Sequence, residues 1–201
     1  MYESIMIGVL ALQGDFACHL SQLDRLNVLG LEIRRESDID KIDALIIPGG
    51  ETTTMSMLID RFSMRDKLSD FIKNKPVWGT CAGSILLADS VDDARIKPFG
   101  VMDISIRRNA YGRQVHSFYD EIDARLNGSV ARLRASFIRA PIIDKVGDSV
   151  EILAENDGKP VLLRQDKCLI STFHTELHDD PMLTKYFIDE FVLNIADKKR
   201  N

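Results

Sequence analysis

The chain has 201 residues, 45% of them apolar, which is enough to fill the core of one globular domain, expected to span residues 1–201. A net charge of −5 with acidic and basic residues interspersed leaves no basic stripe to neutralise phosphates, which argues against a nucleic-acid partner. Cys18, Cys81 and Cys168 are widely spaced with no C-x-x-C pair; they suit neither a disulfide framework nor a zinc site and read as free thiols in a reducing compartment.

The first apolar run, from Ile5 to Leu12, lacks a basic lead-in and a small-residue cleavage site, and it breaks at Gln13-Gly14-Asp15 after a strand's length. It reads as a strand rather than a signal peptide or membrane anchor, so a cytoplasmic protein without membrane association is expected. A helical pattern at Phe16–Leu26, a run at 29–34, the strand Ala44–Ile47, helical patterns at Met55–Phe62 and Leu68–Ile72, and the run Val77–Trp78 follow. This alternation predicts a parallel sheet covered by helices, and the near-continuous runs IGVLAL and ALIIP predict strands buried on both faces. Ligands of such sheets collect beyond the carboxyl ends of the strands, which directs attention to Gln13, Gly49-Gly50 and Cys81.

From residue 101 the pattern changes. Short alternating runs at 101–107, 115–119, 134–138, 150–154, 160–164 and 168–173 are separated by turn residues at 109–112, 127–128 and 156–159. They predict antiparallel hairpins joined to the parallel core. A last helix is expected after Pro181, with Leu183, Phe187, Ile188, Phe191, Val192 and Ile195 at helical spacing, and the tail 198–201 is expected to fray. The sequence has no internal repeat, low-complexity tract or linker that would divide it.

Lys75 to Ala88 reads as strand, tight turn and helix with Cys81 at the apex. Gly79-Thr80-Cys81-Ala82-Gly83 has the form of a nucleophile elbow, in which glycines admit a strained turn and a close backbone approach. The helix that starts at the thiol offers unpaired N–H groups that favour thiolate, and the Ala82 amide points where an oxyanion would form. Cys18 and Cys168, away from glycine turns, read as ordinary buried or surface thiols.

A cysteine nucleophile needs a base. Among the four histidines only His174 has a carboxylate two residues on, Glu176, and an i, i+2 pair on an extended chain shares a face. Glu176 could accept the imidazole N–H and leave the other ring nitrogen facing the thiol, giving a Cys-His-Glu triad. His19 and His116 read as structural. His178 beside Asp179 and Asp180 offers no complete ligand set, so neither a metal nor a cofactor is expected.

These residues resemble the class I glutamine amidotransferases, and among them the glutaminase subunits of pyridoxal phosphate synthase. The likeness runs nearly end to end, through GVLALQGDFACH at 8–19, LIIPGGETTTM at 45–55, GTCAG at 79–83, RRNAYGRQVHSF at 107–118, FIRAP at 137–141 and FHTEL at 173–177. The resemblance implies the class I amidotransferase fold, a flavodoxin-like, open, mainly parallel sheet with helices on both faces and an antiparallel extension. It implies Cys81 as nucleophile, His174 as general base and acid, and Glu176 as its orienting group. It further implies Gly50, Glu51 and Thr52 beside the substrate amide, and Arg108, Ile138 and Arg139 at the amino-acid end of L-glutamine. Gly50 and Ala82 supply the oxyanion hole in this reading, and Gln13 helps to complete it.

Glutamine hydrolysis to glutamate and ammonia is the implied activity, with the ammonia passed to a lyase-type pyridoxal phosphate synthase subunit. The alternatives are the glutaminase subunit of another amidotransferase, such as that of imidazole glycerol phosphate synthesis, a flavodoxin-like cysteine hydrolase or redox protein, and a non-catalytic module that kept the fold. Three positions depart from the family pattern: Thr175 stands where proline is usual, Thr52 replaces a common serine, and Arg107 stands where an acidic residue is frequent.

Overall fold

A computed structural model describes residues 5–108 and 117–194. The first half follows the expected alternation: β1 (Met6–Leu10), α1 (Phe16–Arg25), β2 (Leu29–Ile33), a 3-10 turn (Glu36–Lys41), β3 (Ala44–Ile47), α2 (Thr52–Arg61), α3 (Arg65–Asn74), β4 (Val77–Thr80) and α4 (Ala82–Leu87). The second half runs β5 (Ala88–Val91), β6 (Met102–Arg107), β7 (Phe118–Leu126), β8 (Ser129–Phe137), β9 (Ile142–Val146), β10 (Glu151–Asn156), β11 (Lys159–Gln165) and β12 (Cys168–Ser171). It ends in α5 (Met182–Phe187), which widens into a π turn over Ile188–Leu193.

The main sheet has the order β10-β11-β12-β4-β3-β1-β2. Strands β12, β4, β3, β1 and β2 are parallel, and β10 and β11 extend the sheet in antiparallel pairing. Both faces are covered, and β3 demonstrates why its sequence is apolar throughout. Ala44 and Ile46 enter one core with α1, α5 and Trp78, whereas Leu45 and Ile47 enter the other with α2, α3 and α4. A strand sandwiched in this way has no polar face to show.

Three expectations for the second half need correction. The strand expected at 115–119 begins at Phe118 and continues to Leu126, pairing residue for residue with β8; positions 109–116, with the expected turn at 109–112 and His116, lie outside the described residues. Ile122, Ala124 and Leu126 point into the core, but the charged residues between them dilute the apolar signal of the run. Strands β5 and β9 were not anticipated; they join β6 in a separate three-stranded sheet. The last helix is not one regular element, since its hydrogen bonding changes after Phe187, and Pro181 occupies the position just before it rather than its first turn. The turns at 127–128 and 156–159 connect β7 to β8 and β10 to β11 as expected. Ile195 and the tail lie outside the described residues.

Candidate active site

The sheet brings together residues that the sequence separates. Strands β4 and β12 are parallel neighbours, with Thr80 opposite Ser171, and Cys81 and His174 leave the ends of these two strands on the same edge. Adjacent strands lie about 5 Å apart, so the side chains just beyond their ends share one space. Backbone hydrogen bonds set the detail. The Cys81 N–H donates to Ser171 O at 2.8 Å, and His174 exchanges N–H···O bonds with Ser136 of β8 at 2.9 and 3.0 Å. The same β8 leads two residues later to Ile138, whose carbonyl lies 3.9 Å from Cys81 Sγ.

Cys81 has φ 47° and ψ −100°, a left-handed backbone that a side chain rarely adopts and that the elbow requires. Gly79 and Gly83 make the elbow possible through close approach. A Cβ on Gly79 would strike the Gly83 backbone, and one on Gly83 would strike the carbonyl of Ile47 in β3. The Cys81 carbonyl is held by the Ser84 hydroxyl at 2.6 Å and by the Ser84 N–H at 3.1 Å, which starts α4 immediately after the thiol.

His174 and Glu176 are both buried, and His174 Nδ1 lies 2.7 Å from Glu176 Oε1. This places Nε2 as the nitrogen left for Cys81. Burial opposes charge on His174, but its hydrogen bonds to Cys81 and Glu176 outweigh that effect and raise its pKa well above the usual imidazole value. Burial likewise acts to raise the Glu176 carboxyl, while the imidazoles of His19 and His174 hold it well below the usual carboxylate range. The pair is therefore arranged to keep a proton on the ring and a charge on the acid.

Cys81 and His174 line a cavity of about 100 Å³ with Asp15, Gly50, Glu51, Thr52, Ala82, Ile85, Arg108, Ile138 and Arg139. Every residue expected at a glutamine site, apart from Gln13 and the buried Glu176, lies on this wall. The Gly49-Gly50 loop follows β3, and a Cβ on Gly49 would collide with the His174 ring. The Asp15 N–H donates to Gly49 O at 3.1 Å, so the planar peptide turns the Gly50 N–H to the opposite side. Gln13 stands behind the wall: its Oε1 accepts from the Glu51 N–H at 2.7 Å and steadies the loop.

Glu51 caps α2, accepting from the N–H groups of Thr53 and Thr54 and from the Thr54 hydroxyl. Partial burial pushes its carboxyl up, and these hydrogen bonds prevail, bringing it to about 2. Three N–H groups of the Arg108 guanidinium are engaged within the protein, by Thr53 Oγ1 at 2.8 Å, Asp93 Oδ2 at 2.7 Å and Glu51 Oε1 at 3.0 Å. Any carboxylate that this guanidinium receives must share it with Asp93 and Glu51. Arg107 points elsewhere and pairs with Asp144 at 2.9 Å, so its charge is largely spent away from the cavity.

The sequence reading missed Asp93, Asp15 and above all His19, which it left as a structural histidine. His19 is fully buried against Glu176. No spacing rule connects these positions, because the contact runs across the sheet edge from α1. His178 meets Ser136 Oγ at 3.0 Å and the Tyr119 ring, and among the described residues no group of three His, Cys, Asp or Glu side chains is placed to hold a metal.

Residues 9–193 match the model of the SNO glutamine amidotransferase family. The chain is 46% identical over 184 residues to the pyridoxal 5'-phosphate synthase subunit PdxT of Thermotoga neapolitana, covering 91% of this chain and 97% of that protein. It is 42% identical over 188 residues to the PdxT subunit of Solibacter usitatus, covering 92% and 98%. Among solved structures, a glutamine amidotransferase superposes with a TM-score of 0.85 at 39% identity over 91% of this chain and 97% of the other. PurLQS from Thermotoga maritima, at 12% identity and a TM-score of 0.68 over 96% of this chain and 99% of the other, shares the fold. With the family model spanning nearly all of its length and its relatives matched almost end to end, the chain belongs to the SNO glutamine amidotransferase family.

Proposed function

We propose that this protein is the glutaminase subunit of a pyridoxal 5'-phosphate synthase, hydrolysing L-glutamine to L-glutamate and ammonia and passing the ammonia to a synthase subunit. The observation that carries the reading is the meeting of Cys81 and His174 at one wall of one cavity, with Glu176 buried behind the His174 ring. The names of the relatives, each a PdxT subunit, support the choice of pathway.

In this mechanism the Cys81 sulfur attacks the side-chain carbonyl carbon of glutamine, and the oxyanion is received by the N–H groups of Ala82 and Gly50. His174 gives its Nε2 proton to the departing nitrogen, and the C–N bond breaks to leave a γ-glutamyl thioester and ammonia. Water then attacks the thioester with His174 as base, the C–S bond breaks, and glutamate leaves with the thiol restored. Glu176 holds the tautomer throughout. Arg108 and the 138–139 backbone hold the amino-acid end, with Glu51 and Thr52 shaping the wall. Ammonia released to neutral water would protonate and lose its nucleophilicity, which gives direct transfer within a complex its chemical purpose. No metal or cofactor takes part in this scheme, one domain carries it, and a cytoplasmic setting suits the free thiols. Among the described residues no helix is long and apolar enough to cross a membrane.

Glutamate release from glutamine, measured with and without the synthase subunit, tests the proposal. Cys81→Ala abolishes synthesis from glutamine by the assembled enzyme, and ammonium salts restore it. Unchanged glutamine-dependent synthesis in that variant would overturn the assignment.

A further inference from the structure

Glu176 is held by two imidazoles, of which the proposed mechanism uses only one. His19, in the first turn and a half of α1, is fully buried with Nε2 at 3.4 Å from Glu176 Oε1 and at 3.3 Å from Thr80 Oγ1. Its ring meets the Trp78 edge at 5.3 Å between centroids and 87° between planes, which fixes its orientation. The same carboxylate oxygen faces His174 Nδ1 at 2.7 Å, while Glu176 Oε2 is buried with no hydrogen bond among the described residues. Among the described residues, the polar contacts that steer this carboxylate therefore pass through one oxygen and two histidines.

The carboxylate decides the tautomer of His19. A bare Nε2 would set its lone pair against an ionised oxygen, whereas an Nε2–H is attracted to it and can also point toward the Thr80 hydroxyl. Nε2 therefore carries a proton, while Nδ1 has no hydrogen-bond partner among the described residues. Thr80 is the residue before Cys81, so one imidazole N–H lies between the peptide that carries the sulfur and the acid that orients the base.

We propose that His19 is a positioning residue for glutamine hydrolysis, sharing its Nε2–H between Glu176 and Thr80 so that the carboxylate stays aimed at His174. This rests on the reading of Cys81, His174 and Glu176 as the catalytic groups. A histidine that merely filled the core would be replaceable by an apolar side chain of similar size; one that holds a carboxylate is replaceable only by another donor. The other ionisable groups around the ring are His174 beyond Glu176 and Cys18 on the preceding residue, whose thiol is pushed up by burial and by the charges of Asp15 and Glu176.

The test compares His19→Leu, His19→Asn and His19→Gln in the complex with the synthase subunit, following glutamate release and checking each fold by circular dichroism. Glutamine places an N–H near the Nε2 position; asparagine is polar but too short to reach Glu176. Leu and Asn are expected to lower kcat by about 10- to 100-fold with KM within about twofold, as for other outer groups that fix a histidine's orientation, and Gln to recover most of it. Loss of the donor also moves the acid limb of the kcat/KM profile to higher pH, since the ionised form of Glu176 loses a stabilising bond. Should Leu fail to fold, the contrast between Asn and Gln decides. Equal activity in Asn and Gln, or wild-type kcat and pH profile in Leu, overturns the proposal while leaving the glutaminase reading intact. A wild-type complex that releases no glutamate removes both.

Discussion

At the scale of single residues, the site is governed by how two buried ionisable groups change each other. Burial alone would neutralise both His174 and Glu176, yet their contact, with Cys81 on one side and His19 on the other, favours the charged forms. The signs give a testable stability profile. A histidine whose pKa is raised in the folded state contributes stability that is complete below its unfolded value of about 6.5 and is lost as pH rises through the raised value. A carboxyl whose pKa is lowered contributes stability that is complete above its unfolded value of about 4.3 and is lost as pH falls through the lowered value. Urea unfolding is therefore expected to report greatest stabilisation from this pair between those two values. Glu176→Gln removes this pair's share of the acid limb, leaving that of other carboxylates such as Glu51, and reduces the His174 share of the alkaline limb. An unaltered profile in the variant would show that the pair is not charged in the native state.

At the scale of elements, the elbow depends on three segments touching where ordinary side chains would keep them apart. The Gly83 position abuts the Ile47 carbonyl, and Ile47 ends the strand that leads to the Gly49-Gly50 loop. Gly83→Ala must displace either α4 or β3. It is expected to lower stability by about 1–3 kcal/mol, typical of overpacking, and to lower the glutaminase rate because Cys81 and the loop shift relative to His174. Gly158→Ala is the control: its φ of +69° carries strain, of about 1–2 kcal/mol, but nothing lies within 4 Å of the new methyl and the site is remote, so the rate is expected to hold.

The contrast also explains what the sequence made legible. A strand, a glycine-flanked cysteine and a helix are neighbours in sequence, and His174 and Glu176 are two residues apart, so local rules reach them. The hairpin β7–β8 was seen at its turn but not at its full length, because its outer face is charged. Strand β5 follows α4 without a turn signal, and β9 is five residues whose pairing with β6 only the folded chain reveals. His19 and Asp93 were illegible for the same reason: their roles come from partners brought close by the sheet, not from neighbours in the chain.

At the scale of the whole molecule, one sheet divides two cores, and the site needs both. Thr80 and Cys81 sit between α1, which belongs to the core containing Trp78, and α4, which belongs to the other. Alternate residues of β3 feed both cores, so loosening one face disturbs strands that the other face packs against. Gln22 strengthens the tie, with its Nε2 toward the carbonyls of Thr175, His178 and Asp180 and its Oε1 accepting from the Thr184 hydroxyl, which binds α1 to the segment carrying Glu176 and to α5. These links predict cooperative unfolding. The chain has one tryptophan, Trp78, fully buried with its Nε1–H donating to Ser171 Oγ at 3.2 Å, so its fluorescence reports the centre of the sheet. Far-UV circular dichroism reports helices on both faces. The two signals are expected to give a single coincident transition in urea, the behaviour of a small cooperative domain. Two separated midpoints, with the tryptophan signal surviving loss of part of the helix signal, would mean that the faces unfold independently and that the site is assembled from two units.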